Sequence, residues 1–207
     1  MVETVICVTP QPEPDGFDKK VRKKGLQYLE KQGLNMDEPL PKGTKIAPYW
    51  RDCMDELYHA YFGVCAYLAV HFERTIGGGT VEHFAPKSRR VELAYEWSNY
   101  RLASSIVNAR KNNFEDVLDP FEITTGWFHV ELVSGHIYPA PALSEDLQKQ
   151  VEQTINRLGL DDKNNQEMRA RHYQEYREKL YSEEFLKRRS PLVWVEAHRQ
   201  GLLETKS

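Results

Sequence analysis

Between Thr80 and Lys111 the chain carries Val81-Glu82-His83-Phe84, then Trp97-Ser98-Asn99-Tyr100, then Val107-Asn108-Ala109-Arg110-Lys111. These residue types suit hydrolysis of a phosphodiester. An imidazole titrating near neutral pH can take the proton of an attacking water, which assigns His83 as general base. A carboxylate and an amide carbonyl, Glu82 and Asn108, offer hard oxygen donors that suit Mg2+ or Mn2+ better than Zn2+. Lys111 brings a cation for a phosphate near the metal.

Spacing limits how these side chains converge. On a strand, Glu82 and His83 point to opposite faces, so both serve one site only where the strand ends and the backbone turns. Pro86 supplies that ending. Asn108 and Lys111 are three apart and share one face of a helix.

The elements that must position them follow from the pattern. Cys65 to Phe72 is rich in β formers, Gly77-Gly78-Gly79 reads as a turn, and Thr80 to Phe84 resumes as a strand, which predicts a hairpin. Pro86 and the charged Lys87 to Glu92 form a loop. Tyr100 to Ala103 reads as a short strand, and Ser104 or Ser105 can cap a helix running to about Asn112. Upstream lie a Pro-rich arm over 1–16 and two helices, Phe17 to about Gly33 and about Tyr49 to Tyr61, the latter with Trp50, Met54, Leu57 and Tyr61 on one face. Downstream, Gly126 to Val133 and His136 to Tyr138 read as a second hairpin. Ser144 caps a helix carrying Leu147, Val151, Ile155 and Leu158, a highly charged helix runs to about Leu180, and Ser190-Pro191 starts a last one. The fold class this predicts is α+β, a small ββα core in a mostly helical shell.

At 207 residues there is ample material for a core, and the net charge of −3 with pI near 6.2 gives no global nucleic-acid footprint. Any such binding must rest on a local basic patch. Cys7, Cys53 and Cys65 are scattered and form no Cys-x-x-Cys pair, which fits a reducing compartment. No apolar run approaches membrane-spanning length, and Val5-Ile6-Cys7-Val8 is too short for a signal segment, so the expected location is cytoplasmic, without membrane attachment.

At Glu82-His83, Asn99, Asn108 and Lys111 the sequence resembles the HNH, or ββα-metal, nuclease family. That family has an acidic residue and His at the end of the first strand, an Asn before the second, and an Asn or His on the helix, often followed by x-x-Lys. The resemblance implies that His83 is the general base, that Glu82 and Asn108 hold Mg2+ or Mn2+, and that Asn99 braces the loop orienting the histidine. The text around it, His83-Phe84-Ala85-Pro86-Lys87-Ser88, Tyr95-Glu96-Trp97-Ser98-Asn99 and Thr154-Ile155-Asn156-Arg157-Leu158-Gly159-Leu160, is similar to longer HNH proteins. Those are encoded beside ABC-type or AAA-type ATPases in bacterial phage-defence operons, the Septu type among them. It implies an ATPase partner subunit and a nucleic-acid substrate, DNA ahead of RNA, with a homo-oligomer as a further option. The implied organisation is an arm with covering helices over 1–62, the nuclease core with its following hairpin over 63–141, and a helical region over 142–207.

One departure concerns zinc. Many relatives brace this fold with two Cys-x-x-Cys pairs, whereas this chain has Cys65-Ala66-Tyr67-Leu68 and Ser104-Ser105-Ile106-Val107, so no four-cysteine site can form and no structural zinc is expected. Simpler accounts compete at several positions. A Glu-His pair is commonly surface or core furniture, Asn99 alone suits a turn, and the triple glycine lacks the Gly-Lys-Ser/Thr of a phosphate loop. The run Lys19 to Lys24 suits a solvated helix face, and His59, His71, His129 and His136 have no ligand spacing. The sequence therefore predicts a metal-dependent endonuclease. The alternatives are a catalytically silent, partner-binding subunit on the same fold and an RNA-directed nuclease.

Overall fold

The computed structural model describes residues 8–76 and 78–204, the side chain of Ile76 excepted. Cys7 and most of the Val5–Val8 run, with Gly77 of the triple glycine, lie outside them. The chain is mixed α+β and divides into two compact units. One takes Pro10–Gly63 and Glu73–Glu115; the other takes Val64–Phe72, Asp116–Ser207 and a first segment ending at Thr9. Each has its own two-stranded antiparallel sheet.

The first unit holds the predicted site. Its arm is docked: Gln11 donates its N–H to the Tyr61 hydroxyl and accepts from the Trp97 indole at 2.8 Å. Phe17, buried, meets Trp97 and Tyr100 edge-on. A π-helical turn, Asp18–Arg22, leads into α1, Lys23–Lys31, whose buried stripe includes Leu29 after Val21 of the turn. The second expected helix is a 3-10 turn, Tyr49–Cys53, followed by α2, Met54–Ala60, with Leu57 fully buried. Strand β1, Gly79–His83, pairs antiparallel with β2, Tyr100–Ser104, placing Glu82 opposite Arg101 and His83 opposite Tyr100. Ser104 ends β2 and caps α3, Ser105–Lys111, by accepting the Val107 N–H. Both α2 and α3 pack on the sheet, so β1, β2 and α3 form a ββα arrangement.

One expected hairpin is corrected. Cys65 to Phe72 is no strand and does not pair with β1; Val64 and His71 form a single bridge across a tight loop. Cys65, Ala66, Tyr67, Ala69 and Val70 are all buried, and the backbone closes on itself, Ala69 N–H to Cys65 O and Cys65 N–H to Val70 O. A short apolar run signals burial, and periodicity alone does not say in which conformation.

The second unit opens with β3, Phe128–Val130, and β4, Ile137–Pro139, around a turn at Glu131–His136. Ser144 caps α4, Glu145–Leu158, which buries Val151, Ile155 and Leu158 and ends at Gly159 in the left-handed region. Helix α5, Lys163–Arg177, is the highly charged helix of the sequence, yet it buries Arg169, His172, Tyr173 and Tyr176. The Arg169 guanidinium donates to the Gly135 and Leu160 carbonyls at 2.7 and 2.9 Å, tying the turn to the end of α4. Helix α6, Glu183–Arg189, was not foreseen, although its Ser182 cap and two leading glutamates were readable. Helix α7, Pro191–Arg199, closes the unit.

Two outcomes follow for stability. Replacing a helical Gly by Ala usually stabilises, but a Cβ at Gly25 would stand 2.2 Å from ring carbons of the buried Tyr95, whose hydroxyl is held on the Ala47 carbonyl. Gly25→Ala is expected to destabilise by about 1–3 kcal/mol in urea unfolding, the cost of overpacking; a raised midpoint would contradict this. In the other unit, burial first and then Arg189 and Arg171 push the His172 imidazole down to about 4. The unfolded chain binds that proton from about pH 6.5 downward and the folded chain does not, so stability is complete above about 6.5 and declines as pH falls toward about 4. His172→Gln should flatten the dependence of Tm on pH across that window, and an unaltered slope would remove His172 as its source.

Candidate functional site

The site is built where β1 ends. Thr80 and Glu82 share one face of β1, and Asn108 and Lys111 share one face of α3. The two faces meet in two rungs: the Asn108 amide donates to the Thr80 hydroxyl at 3.3 Å, and the Lys111 ammonium pairs with the Glu82 carboxylate at 2.8 Å. Where β1 ends at His83, the His83 and Phe84 carbonyls also accept from Lys111, at 3.2 and 2.8 Å. Glu82 is 1 % exposed and Lys111 is fully buried.

His83 is held from several sides. Its Nε2 lies 2.9 Å from the Ala94 carbonyl, which can only accept, so Nε2 carries the proton and Nδ1 the lone pair. The Tyr100 hydroxyl donates to the same carbonyl at 3.0 Å. Trp50 and Tyr100 meet the imidazole edge-on, at 4.8 and 5.1 Å between ring centres. Burial is the main cause that lowers its pKa to about 3, with the charges of Lys87 and Lys111 adding and the Ala94 bond opposing. The ring is therefore neutral across the physiological range.

Asn99, also buried, clamps the loop between β1 and β2. Its carbonyl accepts the Ala85 N–H at 2.7 Å, and its amide donates to the Ala85 and Leu93 carbonyls. Leu93 precedes Ala94, so the clamp ends one residue from the carbonyl that orients His83. The segment between α1 and the Tyr49–Cys53 turn adds a further tie, Leu40 N–H to Ser88 O at 2.8 Å.

All five residues singled out in the sequence thus lie on the ββα arrangement, but Lys111 is used differently from expectation. It was read as a phosphate contact, and its ammonium is spent inside the fold on Glu82 and two carbonyls. Three contributors were not singled out as site residues. Trp50 covers His83, and the Ala94 carbonyl orients it, a backbone role that no residue type announces. Lys87 lies over the Trp50 ring at 5.2 Å, and Glu82 and Lys111 are the charges it feels. Its position just after Pro86, in the loop that ends the strand, was the available signal.

For a hard divalent cation the donors fit in kind: a buried carboxylate and an amide carbonyl. Among the described residues no group of three His, Cys, Asp or Glu could hold a metal, so such an ion would draw the rest of its shell from water and phosphate oxygens. The Glu82 charge is meanwhile matched by Lys111.

Compared with known proteins, the chain matches no family model and no curated sequence. No helix among the described residues is long and apolar enough to cross a membrane.

The buried pair makes a direct expectation for folding. Lys111→Met strands the Glu82 carboxylate and should cost about 3–5 kcal/mol, whereas Glu82→Gln combined with Lys111→Met should recover much of it. Urea unfolding of the two variants decides this; a Lys111→Met protein as stable as the parent would show that the pair does not hold the fold.

Proposed function

We propose that this chain is a metal-dependent endonuclease of the HNH type, hydrolysing phosphodiester bonds of nucleic acid, DNA ahead of RNA. The observation that carries this reading is the His83 imidazole, fixed through Nε2 on the Ala94 carbonyl at the end of a ββα arrangement that also carries Glu82, Asn99, Asn108 and Lys111. That tautomer leaves Nδ1 as the proton acceptor for an attacking water. Asn99 keeps the loop, and with it Ala94, in place. Glu82 and Asn108 are the residues that would hold Mg2+ or Mn2+, whose chemistry, when bound, is to polarise a phosphate oxygen. An imidazole buried among cations is a weak base, and the negative charge of an arriving phosphodiester raises its proton affinity when catalysis requires it.

The chain's net charge of −3 makes tight duplex binding by the whole surface unfavourable, because non-specific affinity comes chiefly from phosphate neutralisation. With the resemblance described above, this supports an ATPase-type partner subunit that raises activity, as in anti-phage defence complexes.

A second reading, a catalytically silent partner-binding subunit, is favoured by one observation: Glu82 is buried and already satisfied by Lys111. Incubating pure protein with plasmid DNA and with RNA, in Mg2+ or Mn2+ and with EDTA controls, separates the two. Cleavage that EDTA abolishes is expected, and His83→Ala should lower it by at least about 10²-fold with the fold intact. A folded His83→Ala protein with undiminished activity would sink the assignment.

A further inference from the structure

We propose that Lys87, rather than Lys111, is the side chain that contacts the substrate phosphate. This rests on the phosphodiesterase reading of the site and goes beyond it by naming the group that grips the substrate.

A lysine ammonium has three N–H donors. On Lys111 they face the Glu82 carboxylate, the His83 carbonyl and the Phe84 carbonyl, and the side chain is fully buried. Nothing is left to offer a phosphate without dismantling the contact that joins α3 to β1.

Lys87 is in the opposite condition. It is half-buried, and its ammonium makes no ion pair or hydrogen bond with the described residues. Among those residues its close partner is the face of Trp50, a cation–π contact at 5.2 Å. A charge-assisted bond to phosphate is shorter, stronger and better aligned.

The position is also right. The Lys87 ammonium lies 5.2 Å from the centre of the Trp50 ring, and that same ring meets the His83 imidazole edge-on at 4.8 Å. The loop that carries it is fixed at both ends by Asn99 and turned tightly by the Arg89 and Arg90 N–H groups on the Pro86 carbonyl, at 2.8 and 2.9 Å. Arg101 stands opposite Glu82 across the strand pair, and its guanidinium and the Lys111 ammonium lie over the same Phe84 ring.

The test measures binding as well as cleavage. Fluorescence anisotropy of a labelled DNA duplex, in EDTA and at a series of low salt concentrations, gives the slope of log affinity against log salt. One lost phosphate contact lowers that slope by about 0.9. Lys87→Met should show this loss, Lys87→Arg should restore the slope, and Lys31→Met, on exposed α1, should leave it alone. In the plasmid assay Lys87→Met should reduce cleavage by roughly 10-fold or more, the worth of a hydrogen bond between charged groups. A folded Lys87→Met protein with an unaltered slope would overturn the proposal, as would failure of the parent protein to bind duplex at the lowest salt. If the parent binds with the expected slope difference but never cleaves, the phosphate contact stands and the nuclease reading falls.

Discussion

The arrangement depends on burying one ammonium. An unpaired charge in a protein interior is too costly to persist, so Lys111 can sit inside only if all its donors are met and its charge is balanced. Glu82 balances it, and the His83 and Phe84 carbonyls complete it. To bring both carbonyls to the ammonium, the backbone leaves the strand geometry after His83, the last residue of β1. Strand alternation still holds for the two residues before that turn: Glu82 meets Lys111 of α3, and His83 meets Trp50, Tyr100 and the Ala94 carbonyl. Helix α3 is pinned at its last residue, and Asn108, one turn back, is held to Thr80 on the same face of β1. One electrostatic constraint therefore sets helix position, strand ending and the presentation of the histidine together.

Much of this was legible in sequence, for identifiable reasons. Helices α3 and α4 could be read because Ser104 and Ser144 cap them and the apolar residues of α4 recur at helical spacing. The face shared by Asn108 and Lys111 follows from spacing alone. What meets that face does not. The job of Lys111 depends on how far it is buried, and only the packing of α3 on the sheet decides that. The partner of β1 was misassigned because Cys65 to Val70 has a strand's composition, while the hydrogen bonds that close it into a loop involve no distinctive residue type. The inner face of α5 was hidden differently. Its buried residues include Arg169 and His172, which a reading by hydrophobicity counts as surface.

Overall charge and local charge are separate questions at this site. A net charge of −3 describes the far field of the whole chain, whereas a phosphate at the end of β1 would feel Lys87 at short range, the Lys111 charge being matched by Glu82. Screening reinforces the distinction, since charges beyond about 8–10 Å contribute little through solvent at moderate salt. A chain that is acidic as a whole can still hold single cations where a local ligand would feel them.

Burial gives the candidate base two opposing properties. Taking His83 out of water guarantees the neutral form and a single tautomer, because the Ala94 carbonyl accepts a proton that Nε2 must carry. The same burial, with Lys87 and Lys111 nearby, removes most of its appetite for a second proton. A base in this position is useful only if the substrate supplies what the protein withholds, namely negative charge beside the ring. Lys87 is suited to that coupling. While it rests on Trp50 it depresses the imidazole, and once a phosphate engages it its charge is offset where it acts on His83. On the proposed nuclease reading, basicity would then appear with substrate rather than before it, without any moving lid.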